Sequence, residues 1–125
     1  MPVVPFTLDS GLSKISGVVR ERENDIVIEY QTKFIGLIRS DIQMLSIPFE
    51  EIDEIVFTSS IFGSKLRILL KTLRSGGSFP APKQGEFELK IAWKNRVQAR
   101  RFASSVNLAA SKYEMLRDDE DDDWV

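Results

Sequence analysis

The sequence predicts a mainly β fold with one C-terminal α-helix. Three observations carry this prediction. Hydrophobic and polar residues alternate in several short segments, turn-forming residues separate those segments, and a helical period of three and four residues is found at the end of the chain. Short connections between strands favour antiparallel pairing, and the helix needs the strands to bury its apolar side. A curled sheet whose open end is plugged by the helix meets both needs.

Six or seven strands are expected. The clearest alternation is in Phe87, Leu89, Ile91 and Trp93, which predicts that these four side chains point to the core. A first, short strand is expected near residues 6–8. The other segments predicted as strands are, in chain order, residues 15–22, 26–34, 42–49, 55–61, 65–71 and 86–94.

Turn residues stand between these strands. Residues 23–25 (Glu-Asn-Asp) predict a tight hairpin. Residues 59–64 predict a second hairpin, in which Gly63 is free to adopt a positive φ. Residues 75–85 hold three Gly and two Pro, which indicates a loop with room for a short edge strand at 78–79.

The last element is a helix predicted over residues 96–116. Asn95 and Gln98 form a capping-box pattern at its start. Its solvent face is expected to carry Arg96, Arg100, Ser104, Asn107 and Ser111. The apolar face is expected to contain Ala99, Phe102, Val106, Ala109, Tyr113 and Leu116.

The 125-residue length fits one domain, assigned to residues 1–117 and followed by an acidic tail at 118–125 that we expect to be disordered. The chain contains no Cys and no His, the residues most used as nucleophiles, bases and metal ligands. We therefore expect no enzyme, no catalytic residues, no cofactor and no metal. With no signal peptide pattern and no membrane-spanning run, we expect a cytoplasmic protein.

Charge is unevenly distributed along the chain. The net charge is −2, but setting aside the six acids at 118–123 leaves 17 basic and 13 acidic residues, a net charge of +4. Residues 21–54 are rich in acids, whereas residues 65–101 are rich in bases. The domain is therefore expected to have an acidic side and a basic side. This modest positive charge, with few aromatics among the bases, argues against a nucleic-acid partner.

Residues 47–57 read Ile-Pro-Phe-Glu-Glu-Ile-Asp-Glu-Ile-Val-Phe, and Ile61-Phe62-Gly63 and a basic strand follow. This run, with the capped helix after Trp93, resembles a bacterial pleckstrin-homology-like (PH-like) domain over about residues 13–113. The resemblance implies two near-orthogonal antiparallel sheets forming a barrel with the helix closing one end. It also implies an adaptor that binds lipid head groups, peptides or other subunits.

Two surfaces are candidates for binding. Large apolar side chains occupy positions where polar turn residues are expected, which predicts either burial or an exposed interaction patch for a protein partner or a second copy. The residues of this predicted interaction patch are Ile35, Leu37, Ile38, Ile61 and Phe62. The bases at the sixth strand and the helix start predict an anion-binding face for an anionic lipid or ligand, unless they only solubilise the surface or pair with Glu86 and Glu88. The residues of this predicted anion-binding face are Lys65, Arg67, Lys71, Arg96 and Arg100.

Two further motifs favour structural roles. The acidic residues Glu50, Glu51, Asp53 and Glu54 follow one another too closely for their oxygens to converge on a metal, so they predict a solvated turn. Ser75-Gly76-Gly77-Ser78 lacks the residues of a phosphate-binding loop and predicts a turn. The leading hypothesis is a non-catalytic module for protein binding or self-association. The alternative is peripheral membrane or anionic-ligand binding through the basic face.

Overall fold

The computed structural model describes residues 3–10, 13–34, 42–61, 63–71 and 85–122. It confirms a mainly β fold: seven antiparallel strands form one sheet, and one helix ends the chain. The strands are β1 (Val3–Ser10), β2 (Ser13–Glu21), β3 (Asp25–Phe34), β4 (Gln43–Pro48), β5 (Ile52–Ser60), β6 (Gly63–Leu70) and β7 (Glu86–Ile91). The helix is α1 (Arg96–Asp122), and short 3-10 turns lie at Phe49–Glu51 and Trp93–Asn95.

The strand order in the sheet is β4-β3-β2-β1-β7-β6-β5. Strand β1 pairs with β2 along its whole length, but it meets β7 through one matched pair, Thr7 and Lys90. In the described part of the chain no ladder joins β4 to β5, so these strands are the two edges of an open sheet. Closure into a barrel of two sheets stays a prediction.

The alternation seen in the sequence places one face of every strand in the core. Helix α1 packs on that face, chiefly against β5, the first 3-10 turn and β1. Phe102 and Val106 of the helix are fully buried there. The largest fully buried side chains of the strands and the first turn are Ile15, Ile26, Ile28, Ile47, Phe49, Ile52, Ile55, Leu66, Ile68, Leu89 and Val4.

Both predicted tight hairpins are present. The backbone N–H of Arg22 donates to the carbonyl of Asp25 at 2.8 Å and closes the β2–β3 turn. Gly63 has a φ of 133°, a conformation that residues with a Cβ rarely adopt, which explains glycine at the β5–β6 turn.

The end of the chain differs from the expectation in two ways. Helix α1 continues through Asp122, past the predicted end at Leu116. Trp93 is 62% exposed and does not point to the core, because β7 ends at Ile91 and the chain turns before the tryptophan. In the described residues no helix is both long and apolar enough to cross a bilayer.

Candidate functional site

The edge of β5 and the neighbouring side of α1 form a groove, here called the β5–α1 seam. The helix runs antiparallel to β5, so its first turns lie near the end of the strand. Two hollows of about 390 Å³ and 210 Å³ follow one another along the seam. The seam is lined by Asp53, Glu54, Ile55, Phe57 and Ser59 from β5 and by Arg100, Ser104, Asn107, Ser111 and Glu114 from α1.

Asn107 separates the two hollows. Its side-chain Oδ1 accepts a hydrogen bond from the backbone N–H of Ile55 at 2.8 Å, and its Nδ2 donates to the carbonyl oxygen of Ile55 at 2.8 Å. A neighbouring antiparallel strand would make the same pair of hydrogen bonds with Ile55. One side chain of the helix therefore replaces a partner strand at one position of the β5 edge.

The next positions along the edge keep their backbone groups open. In an antiparallel strand the backbone groups of successive residues point alternately toward the paired strand and away from it. Those of Phe57 and Ser59 consequently point the same way as those of Ile55, into the seam. In the described part of the chain neither residue has a backbone hydrogen-bond partner on that side.

The two ends of the seam carry opposite charge. Near Phe57, the guanidinium carbon of Arg100 lies 5.6 Å from the centre of the phenyl ring, and no carboxylate among the described residues pairs with this arginine. At the other end, Asp53 and Glu54 are exposed acids of β5. The seam is therefore basic beside the end of β5 and acidic beside its start.

These features fit an extended polypeptide. Open N–H and C=O groups on an edge strand are the usual template for an added strand, and a hollow beside them accepts its side chains. In the described ranges no group of three or more Asp, Glu, His or Cys side chains that could hold a metal ion is found.

The predicted interaction patch falls mostly outside the described residues, which exclude Ile35, Leu37, Ile38 and Phe62. The remaining member, Ile61, lies at the tip of the β5–β6 turn with 92% of its surface exposed. It does not fold back into the core. The edge strand expected at 78–79 and the glycine pair at 76–77 also lie outside the described ranges.

The basic residues of β6 lie on the outer face of the sheet, opposite the helix. Lys65 Nζ is 3.0 Å from Glu88 Oε1, and Arg67 Nε donates to Glu86 Oε1 at 2.5 Å. The hydrogen bond to Glu86 raises the pKa of Arg67, as does the nearby charge of Glu86. On this face the two bases therefore pair with the two glutamates, which is one of the alternatives raised by the sequence.

The other three predicted anion-binding residues lie in different places. Lys71 Nζ donates to Glu114 Oε1 of the helix at 2.6 Å. Arg96 stacks on the ring of Trp93, with its guanidinium carbon 4.0 Å from the ring centre, and donates to the Trp93 carbonyl. Arg100 belongs to the seam. The five residues are thus not brought together on one face.

Sequence reasoning missed the role of Asn107, which it placed on the solvent face of the helix. Asn107 instead lies at the border between the buried side of α1 and solvent, where it reaches the β5 edge. The sequence did contain a signal for this position. Asn107 follows Arg100 and Ser104 and precedes Ser111 at helical spacing, and these residues form a polar stripe beside the small residues Ala103 and Ala110. That spacing locates a stripe but does not identify the strand that it meets.

The predicted acidic turn is divided between two elements. Glu50 and Glu51 lie in the 3-10 turn at Phe49–Glu51, and Asp53 and Glu54 begin β5.

No known protein family, no curated protein and no solved structure matches this chain.

Proposed function

We propose that this protein is a non-catalytic interaction module that binds an extended segment of a partner protein along the β5–α1 seam. The observation that carries the proposal is the paired hydrogen bonding of Asn107 to Ile55 beside the open backbone groups of Phe57 and Ser59. An added strand would continue the pattern that Asn107 begins.

Charge gives the ligand a direction. A segment that pairs antiparallel to β5 begins near Ser59, and its paired part ends near Phe57, because Asn107 already occupies the backbone groups of Ile55. An acidic side chain in its first half would face Arg100, and a basic side chain further along would face Asp53 and Glu54. Such pairs favour one register and orientation over the others.

The proposal includes the PH-like fold. Its support is the strand order, with β1 between β2 and β7, and the single matched pair that joins the two halves of the sheet. The final helix packing on β5 and β1 adds to that support. Fold alone does not select a ligand, so the ligand class rests on the seam.

The non-catalytic part of the proposal rests on residue types. The chain has no His and no Cys. The alternative function, binding of anionic lipid or ligand through a basic face, receives less support, because Lys65 and Arg67 already face carboxylates and Arg96 lies elsewhere.

The test is selection of random peptides displayed on phage against the full chain, followed by titration of the enriched peptides. Ser59→Pro removes an outward N–H without removing a ladder bond, and Ser59→Ala removes the hydroxyl but keeps that N–H. We expect binding to weaken by about tenfold or more in the proline variant and to change little in the alanine variant.

Amide exchange locates the bound segment. Phe57 and Ser59 amides should become protected when an enriched peptide is added, while the amides of β4, the other sheet edge, should not change. Enrichment of no peptide, or equal binding to the parent and the proline variant, would rule out strand addition at this edge.

A further inference from the structure

A line of exposed apolar side chains runs along α1 on the side opposite the core. Val97, Leu108 and Met115 are 48%, 59% and 66% exposed. At 100° per residue they lie within about 20° of one direction, and the buried Phe102 and Val106 point the other way. Burial within the chain does not explain why these three positions are apolar.

The charges of α1 are placed against its own dipole. The first turns of the helix contain Arg96, Arg100 and Arg101, and its first turn contains no acidic residue. Near its end, positions 118–122 are all acidic. A helix N-terminus favours acids and a C-terminus favours bases. The isolated helix is therefore destabilised at both ends by its own charges.

We propose that two copies of this chain associate through antiparallel pairing of their α1 helices along the line of Val97, Leu108 and Met115. In an antiparallel pair the basic start of each helix lies beside the acidic end of the other. The charges of Arg96 and of the acidic end are then compensated together, and the two helix dipoles oppose each other favourably. A parallel pair would bring like charges together.

Side-chain size agrees with this arrangement. When Val97 is set opposite Met115 of the second copy, Leu108 falls opposite the small Ser104, which leaves space for it. Lys94 and Arg96 then lie beside the acidic run that begins at position 118 of the other helix. The surface borders the seam at Ser104, which also lines the hollow beside the end of β5, and a monomer would still present the whole seam.

Sedimentation equilibrium of the full chain tests the proposal over a range of protein concentrations, at low salt and at high salt. We expect a reversible dimer that weakens as salt is added.

Leu108→Glu should raise the dissociation constant by about tenfold or more. Met44→Glu is the matched control, because Met44 is 62% exposed on β4 and lies away from the helix. Unchanged circular dichroism and thermal unfolding would show that each variant is folded, and Met115→Glu provides a second variant of the line.

Orientation is measured by spin labels. The chain has no Cys, so Gln98→Cys provides one label per copy. An antiparallel pair in this register places the two labels about 25 Å apart, whereas a parallel pair places them about 10 Å apart. A parent protein that stays monomeric at low salt, equal effects of Leu108→Glu and Met44→Glu, or the short label distance would each overturn the proposal.

Discussion

The side-chain amide of Asn107 pairs with the backbone of Ile55 as a neighbouring strand would. Each of the two hydrogen bonds is 2.8 Å long, Ile55 is buried and Asn107 is half-buried. A helix residue thus satisfies one position of an edge strand that otherwise remains open. This contact also fixes the height of α1 along β5, because its two bonds allow one alignment.

Replacement of Asn107 by Ala removes both bonds and leaves the Ile55 groups without a partner. We expect a loss of about 1–3 kcal/mol in the free energy of unfolding, measured by urea denaturation. The Ile55 amide should also exchange with solvent faster. Ser104→Ala is the matched control, since Ser104 is exposed on the same helix side. An equally protected Ile55 amide in both variants would contradict the pairing.

Phe102 anchors the helix to the sheet. It is fully buried in the core cluster, so Phe102→Ala should cost about 3–5 kcal/mol of unfolding free energy through lost burial and a cavity. Lys112→Ala, on the exposed side of the same helix, should change the free energy by no more than about 0.5 kcal/mol. Equal denaturant midpoints for the two variants would show that α1 does not pack through Phe102.

Gly17 lies in β2 where the backbone of β3 comes very close. A Cβ at this position would clash with the carbonyl oxygen of Glu29, and backbone atoms cannot swing away. Gly17→Ala should therefore force β2 and β3 apart and cost about 1–3 kcal/mol or more, measured by thermal or urea unfolding. Ser16→Ala is the neighbouring control. A Gly17→Ala protein as stable as the parent would disprove this close approach.

Asp25 makes the β2–β3 hairpin sensitive to acid. Hydrogen bonds from Arg22, and a further one from Ser46, lower the pKa of Asp25, although partial burial opposes them. The folded-state pKa is below the unfolded value of about 3.9, so the stabilisation is complete above that value and is lost as pH falls through the folded pKa.

Urea midpoints of the parent and Asp25→Asn should therefore differ at pH 7 and converge in strong acid. Asp9→Asn, at an exposed pair with Lys90, is the control for a general charge effect. If the difference in urea midpoint between the parent and Asp25→Asn stays constant down to strong acid, the Asp25 carboxylate is not the source of the acid sensitivity.

The candidate site shows how far sequence patterns reach. The outward position of the β6 bases follows from local spacing, whereas the sequence left open whether Ile61 is buried, and the structure shows that it is exposed. Pairing of these bases with Glu86 and Glu88 was one of three alternatives in the sequence, and the β6–β7 register brings Lys65 to Glu88 and Arg67 to Glu86. Arg100 and Asn107 looked like solvent residues, because a helical period does not reveal what lies beside its polar border.

The sequence by itself determined the mainly β fold with a final helix, the inward positions of Phe87, Leu89 and Ile91 on β7, and the glycine at the β5–β6 turn. These depend on side-chain periods of two and of three to four, and on the φ angles that Gly63 allows. Only the tertiary structure decided the strand order and the contact of Asn107 with Ile55, which lies 52 residues away in the chain. Local patterns state which face of an element is apolar. Which elements meet, and in which register, depends on how all of those faces can be buried together.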